Sequence, residues 1–328
     1  MSASFLVVPQ WQGSGSSRAM RLIDGADAIR GDLPATATHL VPVPASAGES
    51  LGTGVNRFSS LTAVREAALA ELALLEAPVV TIGGDCAADL ASVQHALAAH
   101  PSADVAVVWF DAHADINDVE SSPSGAFHGM VVRALLGDGP DGLASTGDAL
   151  LRPAQLVLAG TRALDDGESA YLDRVGVRLV AAGELEDPEA IVRAVEATGA
   201  STVYVHVDLD VLDPSAIDGI GYPEPFGVTP EALCDAIRAL RSRFGLAGAA
   251  VTEFAPESTD AAGRDLPVIL RILGALTGPV ARRAGGSAGA GGSAGGAGAV
   301  APSAAPDSST PRGPRHLSTD PPNAGEGV

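Results

Sequence analysis

Basic residues are scarce in this chain: 20 Lys and Arg stand against 40 Asp and Glu, leaving a formal net charge of -20. With no basic stripe to neutralise a phosphate backbone, nucleic acid is not an expected partner. Cysteine is nearly absent. Cys86 and Cys234 sit in different local contexts and form no disulfide framework, which points to a reducing compartment. Aromatics make up 4% of the residues, so the core must be packed from Val, Leu, Ile and Ala. No run approaches the ~20 apolar residues that span a bilayer, and the N-terminal MSASFLVVPQWQ has no charged segment before its apolar run. A cytoplasmic, soluble protein with no membrane partner is the expectation. What the chain does have is length and apolar content, 328 residues of which 46% are hydrophobic, enough for one large α/β domain.

Short β-branched runs alternate with stretches of helical period, the pattern of parallel βαβ units. Strands are expected over Phe5–Val8, Val79–Ile82, Asp104–Phe110, Gln155–Ala159, Thr202–Val207 and Ala249–Phe254. Helices are expected over Leu61–Leu75, Ala87–Ala99, Pro188–Ala197, Pro230–Arg243 and Leu266–Leu276. Thr229 before Pro230 is a helix start, because the hydroxyl can cap and proline at the first helical position loses no needed donor. From Ala284 the composition turns to Gly, Ala, Ser and Pro with no apolar periodicity. The expected organisation is a catalytic domain over 1–283 and a disordered tail over 284–328, in which His316 is discounted as a ligand.

Four features carry chemistry, and most of their residues fall where an expected strand ends, the edge at which parallel sheets place ligands. Asp111-Ala-His113-Ala-Asp115 follows the strand VAVVWF, and three ligating side chains at alternate positions can converge on one divalent ion. Asp208-Leu-Asp210 follows TVYVHV, with both carboxylates on one side of an extended segment. Asp213, before Pro214, reads as a turn residue. Acidic clusters on separate strand ends repel unless a cation lies between them, which favours a two-metal site. Gly83-Gly84-Asp85-Cys86 follows VVTI; there Cys86 reads equally as a ligand and as a small buried apolar group. Last come the loop Ser124-Gly-Ala-Phe-His128-Gly and Glu253 at the end of AAVTEF. A histidine near a metal can carry a proton to a leaving amine, and a strand-end carboxylate can hold a cationic substrate. His39, His95 and His100 are assigned no role, and His206, one step deeper in its strand than Asp208, reads as a satisfied core histidine.

Taken in order, GGDC, DAHADIN, SGAFHG, DLDVLDPS and TEFAPE resemble the ureohydrolase family that includes arginase and agmatinase, over about residues 1–280. The resemblance implies a three-layer α/β/α sandwich with a central, mostly parallel sheet, and two Mn²⁺ ions in its crevice. It implies that Asp111 and Asp208 bridge the ions, that Cys86 and Asp115 complete one coordination shell, and that His113 and Asp210 complete the other. A water activated between the ions is then the nucleophile on a guanidino carbon. Asp115 orients that water, Glu253 binds the planar cation, and His128 carries the proton to the departing amine.

The partner implied is a small-molecule guanidino amino acid. Asn117, Ser122 and Ser124 stand where the family reads an α-carboxylate, and Asp165 and Glu168 stand where it reads the ammonium. These two acids also suit a helix N-terminus for reasons of dipole alone. The chain departs from the family at Cys86, usually histidine, at Ala126, usually asparagine, and at Ala163, usually aspartate. A thiolate brings one more negative charge than imidazole and should leave the activated water less acidic. The Cys86 variant resembles the branch that converts Nω-hydroxy-L-arginine to L-ornithine and hydroxyurea in antibiotic biosynthesis. An ordinary arginase or agmatinase, and an inactive binding protein on the same fold, are the alternatives. A homo-oligomer is compatible with the sequence.

Overall fold

The computed structural model describes residues 3–76, 78–100 and 104–279; the stretch read as a low-complexity tail, His316 included, lies outside the described residues. The elements in chain order are β1 (Ser4–Val8), α1 (Arg21–Arg30), β2 (Thr38–Leu40), α2 (Phe58–Leu72), β3 (Val79–Gly83), α3 (Leu90–Ala98), β4 (Val105–Phe110), α4 (Val131–Leu135), β5 (Leu156–Ala159), α5 (Asp166–Val175), β6 (Arg178–Val180), α6 (Pro188–Glu196), β7 (Thr202–Asp208), α7 (Pro230–Arg243), β8 (Gly245–Thr252) and α8 (Thr259–Thr277). The eight strands form one sheet in the order β2-β1-β3-β8-β7-β4-β5-β6, with every pair parallel.

Strands β3, β4 and β5 are buried along their whole length, as runs covered on both faces must be. Alternation along them sorts the side chains into two cores. Val80, Ile82, Val108, Phe110, Val205 and Val207 meet residues of α1, α6, α7 and α8 on one face. Val105, Val107, Trp109 and Tyr204 meet residues of α2, α3, α4 and α5 on the other. The result is the expected α/β/α sandwich, fully parallel in its sheet. Among the described residues no helix is long and apolar enough to cross a membrane.

Parallel register is what assembles the site. Phe110 lies beside Val207, Val207 beside Val251, and Ile82 also beside Val251. The residues that follow in each strand therefore reach the same carboxyl edge: Asp111, Asp208, Glu253 and the Gly83–Cys86 turn. The chain runs from β3 across to β4 and only later fills the gap with β7 and β8, so this edge is also where the winding reverses, the usual crevice of such sheets.

Several boundaries differ from expectation for local reasons. Strands β2 and β6 are three-residue edge strands, too short to show a period. Helix α8 begins at Thr259, capped by the Ser258 hydroxyl, and carries Pro267 inside it, where expectation had the helix begin at Leu266. Strand β8 stops at Thr252 because Glu253 takes a left-handed backbone (φ 65°).

Candidate metal centre

The turn after β3 is held tight by two backbone bonds, Gly84 N–H to Val8 O (2.9 Å) and Asp85 N–H to Gln10 O (3.0 Å). A Cβ on Gly84 would lie 1.7 Å from Gln10 O, so only glycine permits this approach. Asp85 is a clamp rather than a ligand. Its buried carboxylate accepts from Gln10 Nε2, Gly13 N and Ala87 N, and burial pushes its pKa up to about 6 against the pull of those bonds. The clamp starts a short 3-10 turn, Cys86–Asp89, that aims Cys86 inward.

Around Cys86 the predicted ligands converge. Its Sγ lies 3.0 Å from Asp208 Oδ2, and its backbone N–H donates to Glu253 Oε1 at 3.2 Å. Asp208 Oδ1 accepts the Asp210 N–H (2.8 Å), and Asp210 Oδ1 accepts the Ala112 N–H (3.1 Å). Asp111 accepts from its own loop at His113 N (2.7 Å) and from Trp109 Nε1 (3.0 Å). His113 Nδ1 lies 3.0 Å from Asp210 Oδ2 and 3.5 Å from Asp111 Oδ1. Cys86, Asp208 and Glu253 form one tight group of potential ligand atoms, and Asp111, His113 and Asp210 a second.

Asp115 belongs to neither group, yet it is the most telling residue. It is 4% exposed and held at φ 53°, and its Oδ2 is the one buried side-chain nitrogen or oxygen among the described residues that lacks a hydrogen-bond partner. Such an orphan costs about 1–3 kcal/mol unless something satisfies it. Glu253, at φ 65°, is the other site acid on a left-handed backbone, and unusual backbone of this kind clusters at functional sites.

The electrostatics say the same. Burial, and then repulsion between neighbouring carboxylates, raise Asp115, Asp208 and Glu253 well above the usual carboxylate range and lift Asp210 to about 6. Burial likewise pushes the Cys86 thiol up. Burial pushes Asp111 up, but its hydrogen bonds to His113 and the attraction of the nearby imidazoles together bring it down; burial pushes His113 down, but its hydrogen bonds and attraction to Asp111 and Asp210 together bring it up. A dry, mutually repelling set of oxygen donors with one imidazole and one thiol fits divalent cations.

Above this floor opens a cavity of about 440 Å³ lined by His113, Asp115, Asp208, Asp210 and His128, and also by Asn117, Ser122, Ser124, Asp165 and Glu168. Cys86, Asp111 and Glu253 are buried and do not line it. The rim residues are already engaged. Asn117 donates to Asp165 Oδ2 (2.9 Å), and Glu168 accepts the backbone N–H groups of Ile116 and Asp165. The Ser122 and Ser124 hydroxyls accept from Gly125 and Ala126 and keep their own protons to donate. Asp165 and Glu168 are thus helix-capping acids that also face the cavity. His128 Nδ1 sits 3.7 Å from Glu253 Oε1, and burial pushes its pKa down to about 4, so the ring is neutral at pH 7.

Sequence reasoning missed Tyr222, whose ring lies 5.0 Å from that of His128 and 6.3 Å from that of His113 on the cavity wall. It stands in a turn-rich loop, where an aromatic carries no periodic signal. Trp109, read only as strand core, proves to be a hydrogen-bond donor to Asp111.

Comparison with known proteins agrees with this geometry. The Arginase family model matches residues 25–273. An N(omega)-hydroxy-L-arginine amidinohydrolase of Streptomyces lavendulae is 32% identical over 267 residues, 79% of this chain and 89% of that protein. An arginase of Bacillus caldovelox is 38% identical over 131 residues, but the match spans only 44% of its length. The structure of an Entamoeba histolytica arginase superposes with a TM-score of 0.74 at 22% identity, covering 85% of this chain and all of that one. A buried acidic floor at the carboxyl edge of a parallel sheet, joined to a match of this extent, means that the chain belongs to the arginase family of metal-dependent amidinohydrolases.

Proposed function

We propose that this protein hydrolyses the guanidino group of an amino acid, with Nω-hydroxy-L-arginine as its preferred substrate and L-ornithine and hydroxyurea as products. The observation that carries the hydrolytic reading is the unpartnered Asp115 Oδ2, buried among acids at the floor of the cavity. Asp111, His113, Asp115, Asp208, Asp210 and Cys86 would hold two divalent cations, Mn²⁺ as the resemblance implies. Such a pair supplies a water of lowered pKa at neutral pH and stabilises negative charge as it develops.

The chain's own residues do the rest. Asp115 Oδ2 accepts a hydrogen from the attacking water and fixes its orientation. Glu253, beside Cys86 and 3.7 Å from His128, supplies the negative charge that a planar cationic group requires. His128, neutral at rest, takes up a proton at its ring and delivers it to the departing nitrogen. The Ser122 and Ser124 hydroxyls face the α-carboxylate, and Asp165 and Glu168 face the ammonium. Replacing His128 with Asn should lower kcat by about 10²-fold or more, the usual worth of a positioned proton carrier. Bound metal, measured on the same sample, should be unchanged.

Cys86 and the Streptomyces relative support the choice of substrate. A hydroxyguanidine is less basic than a guanidinium, so its carbon can be attacked while neutral by a site whose activated water is left less acidic by a thiolate ligand. Turnover of L-arginine, Nω-hydroxy-L-arginine and agmatine, with urea and hydroxyurea quantified separately, tests this. The expected result is a kcat/KM for hydroxyarginine at least about tenfold above that for arginine, with Cys86→His moving the ratio towards arginine. Equal or better turnover of arginine would make the protein an ordinary arginase.

A further inference from the structure

Against Cys86, among residues that do not line the cavity, lies a buried assembly so far without a role. His206 and Asp89 are fully buried, and His206 Nδ1–H donates to Asp89 Oδ2 at 2.9 Å. The other oxygen of Asp89 accepts from the Tyr204 hydroxyl, so the carboxylate is placed to take an Nδ1–H from the imidazole and leave Nε2 as the nitrogen open to a ligand role. The lone pair of Nε2 then points forward. It meets Thr252 Oγ1 at 3.3 Å and Cys86 Sγ at 3.6 Å, and the Thr252 contact is longer than an ordinary 2.7–3.2 Å hydrogen bond. The ring is held in place by Trp109, stacked on it at 3.4 Å and 3°, and the same indole donates to Asp111 Oδ2.

A carboxylate on one ring nitrogen and an underused lone pair on the other is the arrangement by which proteins orient a metal-binding histidine. The spacing also fits. Bonds of about 2.3 Å to sulfur and 2.0 Å to nitrogen place two neighbouring ligand atoms about 3.0 to 3.5 Å apart as the angle opens from 90° to 110°, a little under the 3.6 Å between Cys86 Sγ and His206 Nε2. Ligand atoms of Cys86, Asp111 and His206 all lie within 4.8 Å of one another. We infer that His206 is a metal ligand, its Nε2 joining Cys86 Sγ and Asp111 on the ion nearer β3. Asp89 and Trp109 are then positioning residues that hold its ring.

This inference rests on the two-cation reading, and the test separates the two. Protein loaded with Co²⁺ would be analysed for metal content and by X-ray absorption at the cobalt edge. The expected result is two ions per chain, sharing one sulfur and two imidazoles, those of His113 and His206. In His206→Gln, one equivalent should bind at least about tenfold more weakly, since even loss of a group that only orients a ligand costs 10–100-fold; the sulfur-to-cobalt absorption should shift with it. Two ions with a single imidazole overturn the role of His206 alone. No stoichiometric cobalt in the unaltered protein overturns the metal reading and this inference with it. Because the absorption edge is measured on the unaltered protein, a His206→Gln chain that failed to fold would leave the test decisive.

Discussion

Asp208→Asn should cut kcat/KM by at least about 10³-fold and reduce bound metal to one ion per chain or fewer, while leaving the fold intact. The amide has the shape of the carboxylate and can still accept the Asp210 N–H that Asp208 Oδ1 accepts now. It cannot supply the charge that lets one side chain serve two cations. Asp208 is only 3% exposed, and the surrounding acids push its pKa well up, so in the metal-free protein its charge is a burden. The variant should therefore melt no lower than the unaltered protein when both are stripped of metal, and lower once metal is restored to both. Calorimetry and metal analysis on the same preparations check both statements, and a structural role for Asp208 would give the opposite order.

Stripping the metal should make stability fall as pH rises. Asp210 titrates at about 6 in the fold, and burial and mutual repulsion raise Asp115, Asp208 and Glu253 as well, against 3.8 to 4.5 when exposed. For acids raised in this way the contribution to stability is whole below about pH 4 and is lost as pH climbs through the folded values. His113, raised from 6.5, loses its contribution over a range that starts at 6.5. His128 works the other way: pushed down to about 4, it weakens the fold as pH drops from 6.5 towards 4. Below pH 6.5 it offsets part of the carboxylate trend, and above 6.5 none of these groups opposes the fall. Metal-free protein should melt roughly 5 °C lower at pH 8 than at pH 5.5. Saturating Mn²⁺ should raise the melting point most at pH 8, because cations bound to the folded state alone stabilise it and neutralise the same charges.

Much of this was legible in the sequence because strand ends in a parallel sheet are predictable from apolar runs. VAVVWF, TVYVHV and VVTI told where Asp111, Asp208 and the Gly83–Cys86 turn would emerge, and register along the sheet did the rest. Other features had no local signal. The left-handed backbone of Glu253 is imposed by what surrounds it, and that of Asp115, a residue type that tolerates the conformation better than most, carries no sequence signal because most aspartates do not adopt it. His206 read correctly as a buried, partnered histidine, but its partner Asp89 is 117 residues away, and no sequence period reveals that the other ring nitrogen faces Cys86. Helices α1, α4 and α5 and strands β2 and β6 were missed because they are short or weakly patterned.

The most direct test of the central claim is anomalous diffraction from crystals grown with Mn²⁺. The account predicts two peaks about 3.5–4 Å apart, both within bonding distance of Asp111 and Asp208, with Asp115 Oδ2 turned towards one of them. A map with no peak between those two aspartates, at a metal concentration that supports turnover, would contradict it.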